Sequence, residues 1–133
     1  NETQKGAYVL ADYGDKDPDL ILMASGSEVS LILKAAELLA AEGVNVRVVS
    51  FPSWELFEEQ DQGYKDSVLL PSVKTRLAVE AGLTLGWQKW VGQEGLVIGI
   101  DRFGKSAPGD TLMKEFGFSA ANIVTQALKL ISK

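Results

Sequence analysis

The chain contains neither cysteine nor histidine among its 133 residues. Without cysteine, disulfides, thiolate catalysis and cysteine-based metal sites are excluded. Without histidine, the chain has no Ser-His or Cys-His nucleophile pair, and it lacks both the commonest metal ligand and the usual acid-base group for neutral pH. Any chemistry of this chain therefore depends on carboxylates, hydroxyls, guanidinium groups or backbone amides.

Positive charge is also scarce, with 13 Lys and Arg against 18 Asp and Glu and a net charge of -5. The basic residues are scattered, which argues against nucleic acid and against an anionic membrane surface as partners. No apolar run approaches the roughly 20 residues of a membrane span, and residues 1–5 do not resemble a signal peptide. We therefore expect a cytoplasmic protein. Because the first residue is Asn1, we also expect a processed chain or a piece of a longer one.

The most regular pattern in the sequence predicts a βαβ unit. The apolar run from Leu20 to Ala24 is typical of a strand buried on both faces, and Ser25 with Glu28 matches a capping box at a helix start. Gly43 fits the end of that helix, and a second strand is predicted from Val44 to Phe51. The predicted solvent-exposed stripe of this helix includes Lys34. Its predicted buried stripe comprises Val29, Ile32, Leu33, Ala36 and Ala40.

Strands and helices continue to alternate along the rest of the chain. Further strands are predicted from Ala7 to Leu10, Arg76 to Ala81 and Leu96 to Ile100. One further helix is predicted to begin at Pro52 and Ser53, and another at Ser119. Helical segments are also predicted from Asp61 to Leu70, from Gly86 to Val91, and through Lys114. The sequence therefore predicts one α/β domain over residues 1–133, a three-layer α/β/α sandwich with a mostly parallel sheet of about five strands.

Sheets of this kind bind ligands at the carboxyl ends of their strands, so candidate sites are expected in the turns that follow the strands. Five residues are candidates for anion binding: Ser25, Gly26 and Ser27 at the helix start, and Arg102 and Ser106 in the loop over residues 101–110. A purely structural capping box is the favoured interpretation of the first group, because Glu28 competes for the same amides and no multi-glycine phosphate motif is present. For Asp101 and Arg102, an ion pair that holds the loop is favoured over a polar site.

No catalytic, cofactor-binding or metal-binding residue is predicted in this chain. The carboxylates of Glu80, Asp101 and Asp110 lie on separate elements, and nothing in the sequence indicates that they converge. Trp87 and Trp90, three residues apart, fit stacking on a sugar or base, but burial is the favoured interpretation.

Several segments of the chain together resemble the C-terminal domain of the transketolase family. They occur in the order of that family and span nearly the whole chain, and they comprise residues 23–29, 47–57, 79–82, 103–108 and 114–118. The most specific are Ser-Phe-Pro-Ser-Trp-Glu-Leu-Phe and Arg-Phe-Gly-Lys-Ser-Ala-Pro. The resemblance implies a homodimeric parent enzyme of the pentose phosphate pathway that moves two-carbon ketol units between sugar phosphates with thiamine diphosphate and Mg²⁺ or Ca²⁺.

The resemblance places the catalytic chemistry outside this chain. The family's Gly-Asp-Gly motif with its downstream Asn, and its cofactor-activating Glu, belong to earlier domains and have no counterpart here. Gln88 stands where relatives often carry His, Gly or Tyr, so no role is transferred to it. The implied function is a structural and interdomain module, inactive alone, whose partners are the N-terminal and middle domains of its own parent chain. The alternative is an independent small-ligand or anion-binding regulatory domain.

Overall fold

A computed structural model describes residues 5–26, 28–80, 87–99 and 119–132. The described part contains a five-stranded sheet with the spatial order β1-β3-β2-β4-β5. β1 is antiparallel to β3, and every other pairing is parallel. The strands are β1 (Tyr8–Tyr13), β2 (Leu20–Ala24), β3 (Val46–Ser50), β4 (Arg76–Glu80) and β5 (Leu96–Gly99). The helices are α1 (Glu28–Ala41), α2 (Trp54–Glu58), α3 (Gln62–Val68), α4 (Gln88–Val91) and α5 (Ala120–Ile131).

β2 lies at the centre of the sheet and all five of its residues are buried. Alternate side chains enter different cores because successive residues of a strand point to opposite faces. Leu20, Leu22 and Ala24 pack in the core beneath α1 and α5. Ile21 and Met23 pack on the other face, in a core that includes aromatic residues of α2 and α4. The predicted α/β sandwich with a mostly parallel sheet is therefore confirmed.

α1 ends as the sequence predicts. Gly43 has a φ of 87°, and the amides of Gly43 and Val44 donate to the carbonyls of Ala40 and Leu39 at 3.0 and 3.1 Å, which is the Schellman arrangement. The buried stripe differs from the prediction. Ala35 and Leu39 are buried, whereas the predicted Val29, Leu33 and Ala40 are only half-buried, because α1 packs on the sheet and against α5 at once.

β1 extends beyond its predicted end at Leu10 and includes Asp12 and Tyr13. The register shifts between Val9 and Ala11, so a bulge breaks the alternation that would mark the strand in sequence. As an edge strand facing solvent, β1 also carries polar residues that an interior strand would not. Its Asp12 Oδ1 accepts a hydrogen bond from Nε of Arg47 on β3 at 2.9 Å.

Three of the helix starts predicted from the sequence are confirmed by their capping hydrogen bonds. Ser53 accepts a hydrogen bond from the amide of Leu56, Asp61 accepts one from Tyr64, and Ser119 accepts one from Asn122, at 3.2, 2.8 and 3.1 Å. The predicted loop over residues 101–110 and the helix through Lys114 lie outside the described residues. No helix in the described part combines the length and apolar character needed to cross a bilayer.

Candidate functional site

The topology directs attention to the carboxyl ends of β2 and β4. From β2 the chain crosses to β3 by α1, which packs on one face of the sheet, whereas β4 is followed by α4, which packs on the other face, and then by β5. The two connections diverge between β2 and β4, which are neighbours in the sheet. A crevice outside the strand ends at such a switch point is the usual ligand position in open α/β sheets.

Ser25 and Gly26 lie at this edge, but not in the capping box that the sequence predicts. α1 begins at Glu28, so Ser25 precedes the capping position by two residues. Gly26 has a φ of 61°, which is outside the helical region and prevents Ser25 from acting as the N-cap. The capping-box prediction for Ser25 and Glu28 is therefore wrong, because the left-handed turn at Gly26 moves the helix start along the chain.

The hydroxyl of Ser25 turns instead toward the end of β4. Its Oγ lies 3.5 Å from Oε1 of Glu80, a long hydrogen bond. The same Oε1 accepts a hydrogen bond from Nε1 of Trp87 at 2.9 Å. Residues from two strand ends and the segment before α4 thus meet at one carboxylate, a convergence that sequence reasoning did not find for Glu80. The signal available in the sequence was a carboxylate at the end of a buried strand followed closely by tryptophan.

Trp87 is the largest side chain of the fully buried set, as the favoured interpretation of the sequence predicts. Its ring meets Phe51 edge to face at a centroid distance of 5.3 Å and Trp54 at 5.2 Å. An indole N–H needs an acceptor when buried, and Glu80 supplies it. The arrangement therefore anchors an aromatic cluster at the strand ends.

The remaining predicted anion-binding residues are not described. Ser27, Arg102 and Ser106 lie outside the described residues, as do Asp101 and Asp110. The predicted anion site at Ser25, Gly26, Ser27, Arg102 and Ser106 stays a prediction. Any anion at the start of α1 would share this edge with the carboxylate of Glu80 and with that of Glu28, which is only 6% exposed. Like charges weaken such binding.

Within the described ranges, no group of three or more Asp and Glu side chains is placed to hold a metal ion. Mg²⁺ and Ca²⁺ bind through oxygen ligands, chiefly carboxylates, carbonyls and phosphates. The described residues therefore do not fit the metal and diphosphate of the cofactor that the family resemblance implies.

Comparison with known proteins decides the family. Residues 6–119 match the model of the transketolase-like C-terminal domain. This chain belongs to that family. It is 50% identical over 130 residues to transketolase from Geobacillus stearothermophilus, covering 98% of this chain and 20% of that enzyme. It is 53% identical over 126 residues to chloroplastic transketolase from Zea mays, covering 93% of this chain and 18% of that enzyme.

The fold agrees with the family assignment. Transketolase from Leishmania mexicana superimposes with a TM-score of 0.86 at 38% sequence identity, over 98% of this chain and 18% of that one. The chain thus spans about a fifth of the length of these relatives. The relatives are larger transketolases in which the matching region is one part.

Proposed function

We propose that this chain serves as the C-terminal structural and interdomain module of a transketolase, forming a single domain over residues 1–133. The observation that carries the proposal is the match of residues 6–119 to the C-terminal domain family, in a chain that covers only 20% of a full relative. The parent would transfer ketol groups between sugar phosphates in the pentose phosphate pathway. On this proposal the chain contributes contact surface to its parent and none of the reacting groups.

The cofactor is assigned to the rest of the parent. Thiamine diphosphate with Mg²⁺ or Ca²⁺ would need a set of oxygen ligands, and no such set occurs in the part of the chain that the structure describes. The sequence also lacks histidine throughout. We therefore derive no catalytic step for this chain, and we expect its partners to be the N-terminal and middle domains of its own parent, itself a homodimer.

Calorimetry and an activity assay test this proposal together. Titration of the 133-residue chain with thiamine diphosphate and Mg²⁺ should give no saturable heat, and the chain should show no ketol transfer between a ketose phosphate and an aldose phosphate. The full-length parent, assayed in parallel, should show both. A low-micromolar affinity or measurable turnover in the chain alone would contradict the assignment of the chemistry to other domains.

The alternative of an independent anion-binding regulatory domain has its own test. An anion bound at the strand ends would sit at the amides of Ser27 and Glu28 or in the loop from Arg102 to Ser106. Sulfate or phosphate soaked into crystals should reveal it there. The upstream gene sequence separates the two functions, because a coding region for a Gly-Asp-Gly motif would favour the transketolase module. A cytoplasmic location stays a prediction, since one of the relatives is chloroplastic.

A further inference from the structure

Arg76 is the first residue of β4, so its positive charge lies at the end of this strand opposite to Glu80 and Ser25. Among the described residues its guanidinium donates only to neutral acceptors, the carbonyls of Val73 at 2.9 Å, Trp90 at 2.8 Å, Leu70 at 3.1 Å and Leu69 at 3.4 Å. None of the ion pairs among the described residues involves Arg76. Burial lowers the pKa of Arg76, and the negative charge of Asp66 opposes that shift.

The hydrogen bonds of Arg76 do not use its full capacity. A guanidinium has five N–H groups, and only the carbonyl of Trp90 accepts from Nη1 among the described residues. One N–H of Nη1 therefore remains for another acceptor. A planar guanidinium with an unused donor suits the oxygen atoms of a carboxylate or phosphate.

Arg76 lines a cavity of about 320 Å³ between α2, α3 and α4. Lys65 and Lys89 line the same cavity, and its acidic residues are Glu58 and Asp66. Three cations against two carboxylates make this cavity positive, although the whole chain carries a net charge of -5. Its apolar wall includes Phe57, Leu69 and Trp90.

Glu58 acts as an internal counter-ion for the two lysines. Nζ of Lys65 lies 3.5 Å from its Oε1, and Nζ of Lys89 contacts its Oε2. The hydrogen bond from Lys89 is the main cause of a lowered pKa of Glu58. The Glu58 side chain is 46% exposed, and exposed ion pairs are weak, so another anion can compete for the lysines.

We propose that this cavity binds a small oxyanion, a carboxylate or phosphate ester, through Arg76, Lys65 and Lys89, in competition with the carboxylate of Glu58. The site is separate from the strand-end residues predicted from sequence, and it does not depend on the proposed transketolase function. Its volume falls at the lower end of the roughly 300–1,000 Å³ of ligand pockets.

Nuclear magnetic resonance titration of the 133-residue chain tests the site. Inorganic phosphate and citrate are added separately at constant ionic strength, and the indole N–H of Trp90 and the amides of α2 to α4 are followed. We expect saturable shifts confined to these groups. Response to phosphate alone would assign a phosphate ester, and response to citrate alone would assign a carboxylate.

Two pairs of variants separate a built site from general charge effects. Glu58→Gln should tighten binding by about 3- to 10-fold, because it removes the carboxylate that competes for both lysines, whereas Glu37→Gln on exposed α1 changes the net charge equally and should have little effect. The double variant Lys65→Ala with Lys89→Ala should weaken binding by at least about 10-fold, whereas the double variant Lys34→Ala with Lys129→Ala, at exposed positions of α1 and α5, changes the net charge equally and should have little effect.

Three results would overturn the proposal. They are the absence of saturable shifts in the wild-type chain, equal affinities for the Glu58 and Glu37 variants, and shifts confined to Ser25, Gly26 and Glu28. Circular dichroism of each variant verifies that it is folded. All four variants replace side chains that lie on helices and are at least partly exposed to solvent, so loss of the fold is not expected.

Discussion

Single residues in the interior of this sheet carry much of its stability. Leu22 is fully buried in β2, where it is paired with Val48 on one side and Leu77 on the other. Its side chain packs in the core beneath α1 and α5. Strands on both sides and helices above it leave little room for the surroundings to relax if the side chain is shortened.

Leu22→Ala should lower the free energy of unfolding by roughly 2–5 kcal/mol, because it removes buried methyl groups and leaves a cavity. That is a large share of the about 5–15 kcal/mol expected for a domain of this kind. Lys34→Ala, at an exposed position of α1, is the control and should change stability by less than about 0.5 kcal/mol. Urea melts measure both, and equal small losses would contradict the burial of β2.

Two glycines with the same backbone angle differ in their surroundings. Gly43 has a φ of 87° and Gly6 a φ of 88°, but an added Cβ meets nothing within 4 Å at Gly43. At Gly6 it would lie 2.2 Å from the amide nitrogen of Phe57 and 2.3 Å from the carbonyl oxygen of Ser53. Gly43→Ala should cost about 1–2 kcal/mol from backbone strain alone, and Gly6→Ala about 2–5 kcal/mol. Similar losses in thermal melts would show that the contact of Gly6 with α2 relaxes freely.

Among the secondary-structure elements, the short helices on the aromatic face depend on their neighbours more than on their own length. α2, α3 and α4 have 5, 7 and 4 residues, which is too short for stable helices in isolation. Caps at Ser53 and Asp61 fix two of the starts. Glu58 then connects all three helices through Lys65 and Lys89.

The connection through Glu58 should depend on pH. Its folded-state pKa is lowered, first by the hydrogen bond from Lys89, so its stabilising contribution is present above the unfolded-state pKa and is lost as the pH falls through the folded-state value. In a carboxyl titration followed by nuclear magnetic resonance, Lys89→Ala should raise the pKa of Glu58. Lys34→Ala is the control, because Lys34 lies on α1 and makes no ion pair among those described. An unchanged pKa in the Lys89 variant would contradict the ion pair.

At the scale of the whole molecule, the described residues form two cores that share one sheet. The core beneath α1 and α5 is aliphatic, and the core on the other face contains or contacts Trp54, Trp87 and Trp90. These are all three tryptophans of the chain. Tryptophan fluorescence therefore reports on one face. The two longest of the described helices, α1 with 14 residues and α5 with 12, lie on the other face and contribute to far-ultraviolet circular dichroism.

If the chain is a single domain, the two faces should unfold together. Urea titrations followed by fluorescence and by circular dichroism should then give the same midpoint, with a slope of about 1–3 kcal/mol/M. Leu22→Ala should move both midpoints by the same amount, since it acts through the shared sheet. Separate midpoints would contradict the single-domain proposal.

The order of the described elements followed from the sequence alone, because buried strands, helix starts and loop glycines have local physical causes, whereas the family was implied by the resemblance of several segments to transketolases. In several places a residue and its near neighbours determine the structure. Examples are the apolar run of β2, the caps at Ser53 and Ser119, and the turn at Gly43 that ends α1. Zero histidine likewise excluded whole classes of catalysis without reference to coordinates.

Tertiary structure decided the features that join distant residues. Ser25 and Glu80 are 55 residues apart in the sequence, yet they contact each other beside Trp87. The cavity at Arg76 is lined by side chains from four elements. The length of β1 depends on its pairing with β3, and the buried stripe of α1 depends on the position of α5. Such features depend on pairing register and helix packing, which periodicity and capping residues along the chain do not specify.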